Sequence, residues 1–488
     1  MLKTASKSQR TRSIIAMFLL FTSAAVIEAK NLTALSALSN SDVWLHLRSG
    51  LWILQNHAVP HTGLFSQSPA APWIAVSWLY DLKLAIWYNL FGLRSIPMFL
   101  MSFRAALAVL TFLLAGGRRN FWAAVAVSAI AQYILAAVPP TPAYVSVLLF
   151  GLESLLLLAS RRSGSLRTLL WLPPLFLVWA NLDIHFVYGL GLFLLFLASL
   201  APEKFKPSGA AHPPQSTKLA AIAALSFLAT LITPYFYRPY QVFFSTVFSP
   251  ANSVLPDYLA PGFRQPQDYI LLLFAMSAFL ALGLRRSGDL FLIVFLALGA
   301  GLSFHSQRDV WLVTLAAVAV VGDAVPTSAA TEPVAGTPLR DLLIAAALAL
   351  VVLATVVVFR LPRSSQALLA KASQSYPVAA SNYIRDHHLP QPLFNALEWG
   401  GFLTWYLPDY PVAIDGRTDL YGDDFILQYS KMMNAELRYT DFPAIANART
   451  ILLPHSAIMA QALSRVSAFT VAYSDDVATV LTRNTDVE

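Results

Sequence analysis

Long apolar runs recur between Ile14 and Phe359, and short polar segments separate them. Runs of this kind are typical of helices that cross a bilayer, whose hydrocarbon core requires about 20 consecutive apolar residues. An isolated helix is also the element that satisfies its own backbone hydrogen bonds in lipid. The pattern therefore predicts a polytopic helical membrane protein with about eleven transmembrane helices.

The pattern changes at Leu361, where shorter and more polar segments begin. Four of them have the composition of strands and are bounded by turn signals: VAI at 412–414, TILLP at 450–454, FTVAY at 469–473 and VATVL at 477–481. We expect a transmembrane domain over residues 1–360 and an extracytoplasmic α/β domain over residues 361–488. Residues 202–218 and 322–341 have the composition of solvated linkers.

Basic residues predict the orientation. Residues 1–12 are basic, and the apolar run Ser13–Ile27 that follows is either a signal peptide or a retained first span. The polytopic chain behind it favours a retained span, with the N-terminus inside. The apolar segment Trp78–Phe91 is a further candidate, but counting it as a span would place Arg118 and Arg119 outside. We therefore predict that it lies in the outer membrane interface.

Composition agrees with this class. The chain has 488 residues, of which 57% are hydrophobic and 12% charged, whereas soluble domains carry about 25% charged residues. The net charge of +7 comes from short segments between the spans, so orientation explains it better than nucleic-acid binding. Because the chain contains no cysteine, disulfides, thiol chemistry and cysteine metal sites are excluded.

The predicted first outer loop, residues 38–92, contains the candidate catalytic groups. Asp42 could deprotonate an acceptor hydroxyl or hold a divalent cation beside a phosphate, and Ser41-Asp42 could equally cap a helix. His46 would share a helical face with Asp42, either as a second catalytic group or as a hydrogen-bonded wall residue. Arg48 is suited to bidentate recognition of phosphate.

Trp44 and Trp78 of the same loop could stack on a sugar, although tryptophan is enriched at membrane interfaces in any case. Three further outer residues could line the same cavity as Asp42, namely Asn181, Asp183 and His185.

At another outer turn, Arg308 and His305 could neutralise a lipid-linked phosphate. Glu153 lies within a predicted span and is either functional or engaged in an interhelical hydrogen bond.

Two motifs stand out in the C-terminal domain. One is Glu398-Trp399-Gly400-Gly401, and the other is the segment DGRTDLY, which supplies Asp415, Arg417 and Asp419. Asp415 would follow a strand, where α/β domains usually place binding groups. The alternative is a set of turn-forming residues with a structural Asp–Arg pair.

Together these residues resemble bacterial polytopic membrane proteins of the GT-C glycosyltransferase type. The resemblance rests on Asp42-x-Trp44-x-His46-Leu47-Arg48-x-Gly50, Val59-Pro60, Phe65-Ser66, Pro72-Trp73, Trp78-Leu79, Trp179-x-Asn181, Arg308 and EWGGFLTW…PVAIDGRTDLYGDD. The chain is also distantly similar to protein O-mannosyltransferases and to oligosaccharyltransferase catalytic subunits. The resemblance covers nearly the whole chain.

The resemblance implies that Asp42 is the essential acid of the first outer loop and that the donor is a polyprenyl-phosphate-linked sugar. A divalent cation, Mg or Mn, is the cofactor it would imply. Departures from the pattern leave that metal open, because Val43 follows Asp42 where a Glu is usual, and Gly63 and Ser77 stand where relatives often carry acids.

Two functions follow as hypotheses. The first is a glycosyltransferase of the bacterial inner membrane, with Asp42 as base and Arg308 or Arg48 holding the donor phosphate. Its partners would be membrane lipid, the lipid-linked donor and an extracytoplasmic glycan, lipid or protein acceptor, and not nucleic acid. The second is a non-catalytic component of envelope glycan assembly or export. A lipid carrier is disfavoured, because few acids and bases lie within the spans.

Overall fold

The computed structural model describes residues 7–31, 38, 40–117, 120–136, 138, 141–200, 213–324, 338–360, 362 and 364–484. Several parts of the predictions lie outside these residues. They are the first residues of the basic N-terminus, Arg118 and Arg119, and most of the two linkers.

Helices dominate the described chain. Before residue 325 they are α1 (Lys7–Asn31), α2 (Ser41–Asn56), α3 (Trp78–Phe91), α4 (Ser95–Leu114), α5 (Phe121–Leu135), α6 (Ala143–Ser163), α7 (Leu172–Trp179), α8 (Phe186–Ser199), α9 (Pro213–Thr230), α10 (Arg238–Val247), α11 (Pro266–Leu284), α12 (Leu290–His305) and α13 (Val310–Ala324). After it come α14 (Leu339–Arg360), α15 (Ser365–Ala372), α16 (Val378–Asp386), α17 (Leu397–Tyr406), α18 (Thr418–Tyr421), α19 (Asp423–Met433), α20 (Pro443–Ala446) and α21 (Ile458–Leu463).

Four helical segments of the described chain are long and apolar enough to cross a membrane. They are Trp78–Leu114, Ala143–Ser163, Pro266–Leu284 and Leu339–Val356, and several shorter apolar helices accompany them. The predicted helical character is therefore confirmed, whereas the number of crossings stays a prediction. Within the first segment, Gly92 adopts a φ of +61° and separates α3 from α4.

Contacts divide the chain into two compact units. The first contains Met1–Asn31, Met98–Tyr237 and Pro256–Leu361. The second contains Leu32–Pro97, Arg238–Leu255 and Pro362–Glu488, so the predicted first outer loop belongs to the same unit as the C-terminal residues. The predicted domain boundary after residue 360 stays a prediction.

The core of the first unit is built around α13. All residues from Val310 to Val320 are buried, as expected of a helix that is apolar on every side. Gly322 allows close packing, because a Cβ there would lie 2.6 Å from the backbone of Ala115. Arg161 and Asp289 form an ion pair of 2.9 Å at the ends of α6 and α12.

The second unit contains a four-stranded sheet in the order β1-β2-β4-β3. Its strands are β1 (Leu393–Asn395), β2 (Thr450–Pro454), β3 (Phe469–Ser474) and β4 (Ala478–Arg483). Strand β1 runs parallel to β2, and the other two pairings are antiparallel. The last three predicted strands are confirmed to within two residues, whereas β1 was not predicted.

The segment 412–414 differs from its prediction, because it is not a strand of this sheet. Instead, the Val412 N–H donates to the Phe65 carbonyl at 3.0 Å, and the Gln67 N–H donates to the Val412 carbonyl at 3.0 Å. Its backbone partners therefore come from the first outer loop, and a local pattern cannot show such a distant pairing.

Candidate active site

Asp42 lies in the first turn of α2 and is half-buried. The N-cap of this helix is Asn40, whose side chain accepts a hydrogen bond of 3.0 Å from the Asp42 N–H. The capping role that the sequence left open for Ser41-Asp42 therefore belongs to Asn40. A carboxylate in the first turn is favoured by the partial positive charge of the helix N-terminus, so the ionised form of Asp42 suits this position.

Three glycines allow the two C-terminal motifs to reach the start of α2. A Cβ at Gly401 would overlap the carbonyl of Ser41, and one at Gly416 would overlap the carboxylate of Asp42. Gly400 packs against the adjoining segment, since a Cβ there would lie 2.6 Å from the Cα of Asp415. The Gly401 N–H also donates to the Ser41 hydroxyl at 3.2 Å. Both motifs therefore converge on Asp42.

Asp415 and Arg417 form a buried, two-pronged ion pair. The Arg417 Nη2 donates to the Asp415 Oδ2 at 2.6 Å, and its Nε donates to Oδ1 at 2.9 Å. Burial alone would lower the pKa of Arg417, but the charge of Asp415 and its hydrogen bonds raise it. The guanidinium also lies 4.8 Å from the ring centre of Trp73. The structural Asp–Arg pair that the sequence allowed is present, and it fixes the Arg417 guanidinium next in the chain to Gly416, which lies against Asp42.

Asp419 lies in the first turn of α18, next to this cluster. The protein around it restricts hydration and raises the pKa of Asp419 to about 6, although the charge of Arg417 opposes this shift. Asp419 is therefore mostly ionised at pH 7 and about half protonated near pH 6.

Arg48 projects from α2 and is half-buried. Its guanidinium lies 4.8 Å from the ring centre of Phe65, and that of Arg417 lies 6.0 Å from the same centre. Burial lowers the pKa of Arg48, but an arginine stays charged in proteins. In the sequence Phe65 was noted as part of the family resemblance and received no role, because its contacts with these two arginines depend on the fold.

His46 is oriented by a carboxylate. Its Nδ1 lies 2.7 Å from the Asp81 Oδ1, and its ring meets that of Tyr80 edge to face. Asp81 comes from α3 and is buried, and the backbone of this residue packs against Gly50 of α2. The pair therefore ties α2 to α3, and it fixes the imidazole one turn after Asp42.

Two of the predicted site tryptophans belong to the core of the second unit. Trp44 is fully buried, and its indole N–H donates to the Leu38 carbonyl at 3.0 Å. Trp399 is 4% exposed and donates to the Ser375 carbonyl at 3.0 Å. Trp78 is half-buried at the start of α3.

In the first unit, Asp183 is buried within a hydrogen-bond network. Its Oδ2 accepts from the Ser146 hydroxyl at 2.5 Å and contacts the His185 Nδ1 at 2.5 Å. The Trp179 indole donates to the Ser146 oxygen at 2.7 Å. Asn181 donates to two carbonyls, including that of Ile232 at 3.0 Å. These side chains close the turn between α7 and α8.

Arg308 lies in a short 3-10 turn between α12 and α13, and its guanidinium donates to the Tyr258 hydroxyl. The same guanidinium lies 5.0 Å from the centre of the Tyr258 ring. The neighbouring Asp309 is buried and accepts from the Tyr188 hydroxyl at 3.2 Å. His305 ends α12 and is exposed. Both predicted phosphate ligands of this turn are thus placed within one segment.

Glu153 of α6 is fully buried, and neither of its carboxylate oxygens has a hydrogen-bond partner. Gly189 lies beside it, because a Cβ there would come within 2.7 Å of the Glu153 Oε2. The interhelical hydrogen bond that the sequence allowed does not form.

Within the described ranges, no three His, Asp or Glu side chains are grouped in a way that could hold a metal ion. A divalent cation therefore stays a prediction.

No protein-family model matches the chain, and no curated protein matches it by sequence. Solved structures do match it. The oligosaccharyltransferase AglB from Archaeoglobus fulgidus, in complex with an inhibitory peptide and a dolichol-phosphate, aligns with a TM-score of 0.54 at 11% identity, over 91% of this chain and 69% of AglB. The chain has the fold of a GT-C glycosyltransferase.

The apo form of the same enzyme aligns with a TM-score of 0.52 at 12% identity, over 92% of this chain and 70% of that one. ArnT from Cupriavidus metallidurans, bound to undecaprenyl phosphate, has a TM-score of 0.40 at 13% identity, over 96% of this chain and 98% of ArnT. The AglB alignments confirm the predicted GT-C resemblance at the level of the fold.

Proposed function

We propose that this protein is a membrane glycosyltransferase that moves a sugar from a polyprenyl-phosphate donor to an extracytoplasmic acceptor. The observation that supports this most is the placement of Asp42, because a half-buried carboxylate at a helix N-terminus is enclosed by two glycine motifs from the far end of the chain. The GT-C fold supports the same class, since AglB was solved with a dolichol-phosphate.

In the proposed reaction, Asp42 acts as a general base. The carboxylate takes the proton of an acceptor hydroxyl while that oxygen attacks the anomeric carbon of the donor sugar. The bond between the anomeric carbon and the phosphate oxygen breaks, and its electron pair leaves with the polyprenyl phosphate. Attack from the face opposite the leaving group inverts the anomeric configuration. His46, fixed by Asp81, would maintain the protein wall one turn along α2.

Within the first unit, we propose that Arg308 and His305 hold the donor phosphate. A phosphate near hydrocarbon needs a cationic partner, and arginine is suited to it by its planar array of donors. The Tyr258 hydroxyl and ring already position the Arg308 guanidinium. No step of this proposal is routed through a metal ion.

The remaining parts of the proposal concern location. A GT-C fold with a lipid-linked donor suits the bacterial inner membrane, with the N-terminus inside and the C-terminal residues outside, as the basic residues predict. The acceptor is a glycan, lipid or protein of the envelope.

The experiment is a transfer assay in membranes that contain the wild-type protein or the Asp42→Asn variant, with labelled polyprenyl-phosphate sugars as donors. Asn preserves the size of the side chain but removes its basicity, so the product should fall by at least about a hundredfold. Asp409→Asn, at an exposed carboxylate of the same unit, should leave transfer unchanged. If Asp42→Asn makes product at the wild-type rate, Asp42 is not the base; if the wild-type protein makes no product with any donor, the non-catalytic hypothesis replaces this one.

A further inference from the structure

Two arginines from distant parts of the second unit meet at one aromatic ring. Arg48 comes from α2 and Arg417 from the loop before α18, and both guanidinium groups lie within 6.0 Å of the Phe65 ring centre. Arginine faces stack favourably on aromatic rings, which holds them in place without consuming their N–H donors. Stacking on the ring therefore leaves any donor that no other group uses available for a ligand.

Some N–H groups of these two arginines are buried and have no hydrogen-bond partner. The Arg417 side chain is only 3% exposed, and its Nε and Nη2 bind Asp415, but its Nη1 has no hydrogen-bond partner. The Arg48 Nε is likewise buried without a partner, and within the described part of the chain Arg48 forms no ion pair. Buried donors on a charged group are costly to leave unsatisfied, so an acceptor from outside the chain would complete this arrangement.

The backbone of Phe65 gives an independent indication. Its φ is +70°, in the left-handed region that bulky side chains rarely adopt. The hydrogen bond from Val412 to the Phe65 carbonyl holds it there. Such strained positions persist where the surrounding structure enforces them, and they cluster at ligand sites. Here the conformation supports a ring that contacts both cations.

We propose that Arg48, Arg417 and Phe65 form a subsite for an oxyanion, a phosphate or a carboxylate carried by one of the two substrates. The planar guanidinium group matches both of these anions. This inference rests on the proposed function for the identity of the substrates. It extends that function, because the unit that contains Asp42 would then recognise an anionic group of a substrate itself. The anion belongs either to the saccharide or to the lipid phosphate.

The test is equilibrium binding to the full-length protein in detergent, with three probes: inorganic phosphate, glucuronate and a polyprenyl monophosphate. Arg48→Gln should weaken binding by at least about tenfold, because one charged partner is lost. Arg438→Gln is the matched control, since that arginine is exposed, pairs with Asp441 in the same unit and should have no effect. Phe65→Leu, which removes the ring, should weaken the same probes without removing a charge.

The probes separate the two sources. Loss of inorganic phosphate binding in Arg48→Gln supports the subsite itself. Additional loss of glucuronate binding supports a saccharide-borne anion, and loss of polyprenyl phosphate binding without loss of glucuronate binding supports the lipid. The proposal is overturned if Arg48→Gln and Phe65→Leu bind every probe as tightly as the wild type, or if the wild type binds none. Because no turnover is measured, this result is independent of the Asp42→Asn assay. If Asp42→Asn transferred sugar at the wild-type rate, the anion subsite would still be supported by the binding data.

Discussion

Asp183 in the first unit and Asp42 in the second are both aspartates that the sequence placed at outer turns, yet their surroundings differ. Asp183 is buried, and its Oδ2 is engaged by Ser146 and by both the ring and the backbone of His185. Asp42 is half-buried and lies against a glycine. A buried carboxylate held by several donors fixes structure, whereas a partly exposed one can be reached by a substrate and can exchange a proton with it.

The largest effect is expected from a substitution at Gly416, which lies against Asp42. In Gly416→Ala the new Cβ would overlap the Asp42 carboxylate and displace it. A shift of about 1 Å at a catalytic group can lower the rate about a hundredfold, and we expect a loss of this size in the transfer assay. Gly288→Ala is the control, because its Cβ would meet no atom within 4 Å. Wild-type transfer by Gly416→Ala would show that the position of Asp42 does not matter.

Asp183→Asn tests whether the buried aspartate of the first unit has a structural role. The substitution leaves His185 and Ser146 with a weaker partner in a buried site, which should cost about 2 kcal/mol of stability. The thermal unfolding midpoint in detergent should fall clearly, whereas the exposed Asp257→Asn should not change it. An unchanged midpoint in Asp183→Asn would contradict the structural role.

Gly400→Ala tests how closely the two C-terminal motifs pack against each other. The added methyl would press on the Ile414 carbonyl and on Asp415, which should cost about 2 kcal/mol. Alanine regains about 1 kcal/mol in helix α17, so we expect a net loss of about 1 kcal/mol, read from the unfolding midpoint. Gly283→Ala, in a helix with open space around it, should not destabilise the protein. Equal behaviour of the two variants would remove the argument from close packing.

Tyr258→Phe should produce the smallest effect. The ring that stacks on Arg308 stays, but the hydroxyl that accepts from the guanidinium is lost. We expect the dissociation constant for a polyprenyl monophosphate to rise about threefold, consistent with one hydrogen bond. Tyr269→Phe, at an exposed tyrosine of the same unit, serves as the control. If Tyr258→Phe binds the polyprenyl monophosphate as tightly as the wild type, the Tyr258 hydroxyl does not contribute to phosphate binding.

Much of the fold could be predicted from the chain, because apolar length and strand composition are local properties. The helices and three strands follow from them. The start of α2 was also recognisable, although the cap is Asn40 and not Ser41-Asp42. The Asp415–Arg417 pair was foreseen as one of two alternatives, since the partners are two residues apart.

The surroundings of the site could not be predicted in the same way. Trp44 lies in the core because it packs on Tyr376, Phe402 and Trp405, all from the other end of the chain. Phe65 matters because its ring lies near the Arg417 guanidinium, and Gly416 matters because it lies against the Asp42 carboxylate. These contacts depend on tertiary packing, and no periodicity in one sequence reports them.

A single-turnover measurement with purified protein shows whether Asp42 acts as the base. A fixed amount of lipid-linked sugar is mixed with excess Asp42→Asn or wild-type protein, and product formation is followed together with thermal unfolding. We predict that the rate falls by about 10² to 10⁴ while the unfolding midpoint is unchanged. A variant that is equally stable and transfers sugar at the wild-type rate would contradict the account.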